Sequence, residues 1–118
     1  MSVSLEAGMM SVAIEQTCVE KLAQLFPNAS PLRIPVRVST LGTTRRQLCE
    51  HTMIEFGTSQ EVLFASTLPL EFEDRVHLSN SDGSLDIHAN VVAVRYHGGR
   101  KAVAVRFVDK VENWAVQP

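Results

Sequence analysis

The spacing of apolar residues changes once along this chain, near Pro27, and the change separates a helical stretch from everything after it. From Met10 to Phe26 there is no glycine or proline, and Met10, Val12, Ile14, Cys18, Val19, Leu22, Leu25 and Phe26 recur at helical spacing. Pro27 and Asn28 end the pattern, so it predicts one helix over Met10–Phe26. At about 100° per residue these positions sweep more than half of the circumference, interrupted by Glu15. Ile14, Cys18, Leu22 and Leu25 form one stripe; Val12, Val19, Ala23 and Phe26 form another. A helix lying on a single core needs only one. The second stripe predicts a helix that is either sunk in its own domain, plugging its core, or shared with a partner protein or a second copy of the chain.

After "PNASP" the period drops to two. Ile34, Val36 and Val38 alternate with Arg33, Pro35 and Arg37, the pattern of a half-buried strand, with Pro35 favouring an edge or the strand's start. "LGTT" reads as a turn, and "RQLCEHTMIEF", "EVLFAST" and "DRVHLS" as three further strands. Asp82-Gly83 supplies a hairpin turn into the long strand "LDIHANVVAVRY", whose alternation slips at Asn90-Val91-Val92 as a bulge would make it do. "HGG" then turns the chain into "KAVAVRFV", and Val92, Val94, Val103, Val105 and Phe107 are assigned to this last hairpin and its core. Short strands in close succession, with no helix between them, predict a mainly β fold: an antiparallel sheet closed into a barrel or sandwich, preceded by an N-terminal helix. The division expected is a helical segment over 1–28 and a barrel domain over 31–113.

Composition narrows the function rather than naming it. A chain of 118 residues suits one domain and can bury roughly two thirds of its unfolded surface, enough for a core without staples. The apolar fraction of 45% argues against disorder, and a net charge of −2 supplies no global field for a nucleic-acid polymer or an anionic membrane. No apolar run is long enough to insert in a membrane, and "MSVSLEAGMMSVAIEQT" lacks the basic start of a secretory signal, so a cytoplasmic location is expected. Cys18 and Cys49 form no CxxC and are read as small buried hydrophobes.

No constellation for catalysis stands out. His51, His77, His88 and His97 lack the spacing of a zinc motif, although His77 and His88 flank one turn and can approach each other. There is no G-x-S-x-G elbow, and Glu71, Glu73 and Asp74 belong to a solvated loop rather than to an apolar pocket. "HGGRK" sits between strands, where a phosphate cradle would feed a helix, so it is a hairpin turn. The reading is a non-enzymatic protein with no metal and no resident cofactor. Arg33 and Arg37 remain: four apart on a strand they face the same way, and guanidinium forks suit phosphates and the guanine edge. They are either a ligand clamp or the wet face of a strand, and Arg45-Arg46 form a second basic pair.

The order of these elements over about residues 33–108 resembles the PilZ domain. The tail carries the resemblance: Val91-Val92-Ala93-Val94-Arg95, then His97-Gly98-Gly99, then Val103-Ala104-Val105-Arg106-Phe107. In the middle, Leu68-Pro69-Leu70 and Asp74-Arg75-Val76-His77-Leu78 are similar to the family's "L-P…D-x-V-x-L" segment. The resemblance implies a six-stranded antiparallel barrel, a bacterial cytoplasmic setting and a link to the second messenger cyclic di-GMP. Family receptors carry R-x-x-x-R before the first strand and D/N-x-S-x-x-G between the second and third. Here the latter falls on Phe56, Thr58 and Glu61, and Arg33 and Arg37 reproduce the former in spacing but inside the first strand. The expectation is an adaptor in cyclic di-GMP-related signalling that acts through protein contacts. The alternative is a cyclic di-GMP receptor using Arg33 and Arg37.

Overall fold

The computed structural model describes residues 17–41 and 47–117. Residues 10–16 of the predicted helix, most of the "LGTT" turn and Arg45-Arg46 lie outside the described residues. In chain order the elements are α1 (Cys18–Ala23), β1 (Ser30–Thr40), β2 (Cys49–Gly57), β3 (Glu61–Ala65), β4 (Arg75–Ser79), β5 (Asp86–His97) and β6 (Arg100–Phe107). The six strands close into a barrel in the order β1-β2-β3-β6-β5-β4, and every neighbouring pair is antiparallel. The alternation predicts a mainly β antiparallel fold, barrel or sandwich, after an N-terminal helix, and the six-stranded antiparallel barrel found here is the form the resemblance implies. Among the described residues no helix is long and apolar enough to cross a membrane.

Alternation explains the core. Val36, Val38, Ile54, Val62, Phe64, Val76, Leu78, Ala89, Val91, Val103, Val105 and Phe107 point inward and are buried together. The slip in β5 is real: its register against β6 shifts between Val91 and Ala93, leaving Val92 as the extra residue and returning Val94 to the inner side. Pro35 lies inside β1, where β2 pairs with it but β4 does not, since β4 reaches only Arg37–Thr40. A residue without an N–H is tolerated on such a singly paired stretch. Gly98 and Gly99 both have positive φ, 59° and 78°, which is what a two-residue turn between His97 and Arg100 requires.

The helix departs from its prediction. Thr17 is extended (φ −72°, ψ 165°) and caps α1, its hydroxyl accepting from the Glu20 amide while the Glu20 carboxylate accepts from the Thr17 amide. No continuous helix therefore runs through Thr17; the T-x-x-E spacing of a capping box marks the start in the sequence. At the other end Leu25 and Phe26 bond back three residues instead of four, so the helix stops at Ala23 and tightens into a turn. Nor does α1 plug the barrel. It lies on the outer wall, where Cys18, Val19 and Leu22 are buried against Leu63, Ala102 and Ala104, with Phe56, Ala65, Val92 and Ala93 around them. The sequence "KAVAV" serves both layers: its valines fill the barrel and its alanines let the helix approach from outside. Both predicted stripes contribute to this contact, with Phe26 half-buried, whereas Leu25 remains 63% exposed.

The barrel is closed differently at its two ends. Beside the β2–β3 turn, Trp114 packs edge-to-face on Phe107 at 5.3 Å, its indole N–H donates to the Thr58 carbonyl at 2.8 Å, and Val111 and Val116 join it on the core. The core therefore continues past residue 113. At the end where β3 stops, the chain after Ala65 drops Leu68 and Leu70 into the core.

Candidate functional site

Arg33 and Arg37 are both exposed on the outer side of β1, opposite in parity to the buried Val36 and Val38. On an extended strand four residues span about 13 Å, and the two side chains line different cavities. Arg33 lines one of about 480 Å³ with Glu20, Met53 and Glu55, and Arg37 lines one of about 400 Å³ with His51, Ser79 and Asn80. Each has a neighbour of its own. Burial and repulsion from Glu20 push the Glu55 carboxyl above its usual range, and the charge of Arg33 acts against that. The Arg37 guanidinium donates to Cys49 Sγ at 3.1 Å, and the Ser39 hydroxyl lies 3.4 Å from the same sulfur. Cys49 is exposed, which corrects the reading of both cysteines as buried; Cys18 alone is. The Ser39 hydroxyl and the Arg37 guanidinium lower the pKa of the Cys49 thiol.

The positions that match the family's second motif are engaged within the protein. Phe56 packs in the cluster beneath α1. The Thr58 hydroxyl donates to Glu61 Oε1 at 2.5 Å and accepts the amides of Gln60 and Glu61, closing the β2–β3 turn. The Glu61 carboxylate also accepts two hydrogen bonds from Arg106, at 2.7 and 3.0 Å. Gly57 allows a close approach: a Cβ there would come within 2.8 Å of the Leu32 side chain and 3.3 Å of the Glu61 carbonyl.

A third group of residues gathers where β3 ends. On β2 the inward positions run Ile54, Thr52, Glu50, since Thr52 pairs with Val36 and Glu50 with Val38. Across the gap, Tyr96 and Lys101 pair with each other on the inner side of the β5–β6 hairpin. Between them lies a cavity of about 580 Å³, which Arg100 also lines. The Glu50 carboxylate holds the turn after β3, accepting from the Ser66 hydroxyl (2.7 Å), the Thr67 amide (2.9 Å) and the Thr67 hydroxyl (2.5 Å). Partial burial works against the charged carboxylate, but the hydrogen bonds from Thr67 and Ser66, with the charge of Lys101, outweigh it and hold the Glu50 pKa below its usual value. Lys101 Nζ donates to the Leu68 carbonyl and lies over the Tyr96 ring, 5.9 Å from its centroid.

His77 and His88 do approach each other: they pair across β4 and β5 with their rings edge-to-face at 5.4 Å, and His77 Nε2 is 2.5 Å from Asp86 Oδ1. Among the described residues no three His, Cys, Asp or Glu side chains are placed to hold a metal ion. Comparison with protein-family models, with curated proteins and with solved structures finds no match.

Sequence reasoning missed the group around Glu50, Tyr96 and Lys101, and a signal for it existed. Glu50 and Thr52 continue the inward parity of Ile54, and Tyr96 and Lys101 that of Val94 and Val103. Polar residues on the parity that faces the barrel interior mark a place where that interior opens.

Proposed function

We propose that this chain is a non-enzymatic binding module of PilZ-like type, acting in bacterial cyclic di-GMP-related signalling through contact with a protein partner rather than by capturing the nucleotide. The observation that carries this reading is the state of the three motif positions. Phe56 has no hydrogen-bonding group and is held under α1, Thr58 has its hydroxyl committed to the β2–β3 turn, and Glu61 is paired with Arg106. A guanine ring would need a free acceptor and close backbone approach there. Glu61 instead brings bulk and negative charge. The N-terminal segment is the surface assigned to the partner or to a second copy of the chain, with Leu25 as its exposed apolar residue.

The alternative, a cyclic di-GMP receptor, draws on the exposure of Arg33 and Arg37 on one face of β1. Titrating the full chain with cyclic di-GMP in a calorimeter separates the two. The adaptor reading expects no isotherm in the micromolar range. An affinity of micromolar or better, about −8 kcal/mol, overturns it; loss of that binding in Arg33→Ala and Arg37→Ala would then establish the receptor.

A further inference from the structure

We propose that the cavity between β2 and the β5–β6 hairpin binds a small aromatic oxyanion, a flat ring carrying a phosphate or carboxylate group. Of its four inward-facing polar residues, three have hydrogen-bond partners within the protein and one, Tyr96, does not. Glu50 and Thr52 have partners within the protein: Glu50 fixes the turn after β3, and the Thr52 hydroxyl donates to the Ala65 carbonyl at 2.7 Å. On the hairpin, Lys101 caps the Leu68 carbonyl, but Tyr96 has no comparable duty. The residue is 70% exposed, and its hydroxyl makes no hydrogen bond to a described residue. Arg100 pairs with His97, on the opposite parity to Tyr96 and Lys101, and reaches the cavity at its rim; it has no carboxylate partner among the described residues, although the guanidinium is a five-donor fork that suits one.

The ligand chemistry follows from these free groups. A ring stacks on Tyr96, whose position is fixed from one side by the Lys101 ammonium. An oxyanion meets Arg100. The cavity wall carries two cations, Arg100 and Lys101, against one carboxylate, Glu50, a surplus of one positive charge in a protein of net charge −2. A volume of about 580 Å³ lies within the range of small-molecule sites and exceeds that of the cavities beside Arg33 and Arg37. This inference is independent of the adaptor reading, because it uses none of the same residues.

The test is a chemical-shift titration of the isotopically labelled full chain with phenyl phosphate and with benzoate. Phenol and inorganic phosphate serve as the ring alone and the anion alone. At least one two-part probe is expected to shift the amides of Glu50–Thr52, Ser66–Thr67 and Tyr96–Lys101, and to bind at least fivefold more tightly than either part. Which of the two binds better identifies the oxyanion as phosphate or carboxylate. Tyr96→Ala and Arg100→Ala should each weaken binding at least fivefold, Tyr96→Phe should retain it, and Arg33→Ala and Arg37→Ala should leave it unchanged. The proposal is overturned if neither two-part probe shifts these amides, if inorganic phosphate binds as well as phenyl phosphate, or if the Tyr96→Ala and Arg100→Ala variants bind like the parent chain.

Discussion

The two ends of this barrel solve the same problem with different chemistry. Both must cover the apolar interior where strands run out. Beside the β2–β3 turn the cover is an indole locked by one hydrogen bond to Thr58 and by the edge of Phe107, with Val111 and Val116 around it. At the other end Leu68 and Leu70 do the covering, but the segment that carries them is tied down by Glu50 and Lys101, and an open cavity is left beside the ties. Apolar closure contributes stability in proportion to the area it removes from water. Polar ties contribute less net stability, because each replaces a bond to water. They do leave charged and hydroxyl groups at a surface that a ligand can reach. The first end holds the fold; the second has groups to spare for binding.

Substitutions sharpen the contrast, the largest effects falling at the Trp114 end. Phe107→Ala removes both core volume and the aromatic edge under Trp114 and should cost about 3–5 kcal/mol, measured by urea denaturation. A loss under about 1 kcal/mol would mean that the Trp114 closure is not well packed. Gly57→Ala should cost about 1–3 kcal/mol by the same measurement, since the new methyl runs into the Leu32 side chain and crowds the Glu61 carbonyl.

At the tied end, Glu50→Gln should cost about 1–2 kcal/mol at pH 7, because it weakens three hydrogen bonds. Its pH dependence identifies the cause. The folded-state pKa of Glu50 lies below its ordinary value, so the stability its carboxylate contributes is present above the unfolded-state pKa and lost as pH falls through the folded one. The difference between parent and variant should therefore shrink toward acid, and a difference that is flat with pH would exclude the charge as its source. The smallest effect is on reactivity rather than stability. Cys49, exposed beside Arg37, should alkylate at neutral pH while Cys18 stays protected, and Arg37→Ala should slow the reaction; mass mapping of the labelled sites reads both.

The strands were legible because a half-buried strand writes its inner face every second residue. Ile34-Val36-Val38, the Val103-Val105-Phe107 run and the bulge near Val91-Val92 could all be read that way. The helix was less legible. Apolar periodicity registers a buried face but not where hydrogen bonding begins, so the pattern ran past Thr17, where only the T-x-x-E cap marks the start. Arg33 and Arg37 could be placed on one face from spacing alone, but not the separate neighbours, Glu55 and Cys49, that draw them apart, because those lie on a different strand. Trp114 escaped for the same reason: its partners Thr58 and Phe107 are distant in sequence or hidden by an irregular segment. The cavity at Tyr96 depends on β3 stopping short of its neighbours, and strand ends are the least marked feature of an alternating pattern.

One measurement tests the division between the ends most directly: urea denaturation of Trp114→Ala beside the Tyr96→Ala/Arg100→Ala double variant. The account predicts a loss of about 3–5 kcal/mol for the first and a change within about 0.5 kcal/mol for the second. Equal losses, or a larger loss in the hairpin variant, would contradict it, because the residues assigned to binding would then be holding the barrel together.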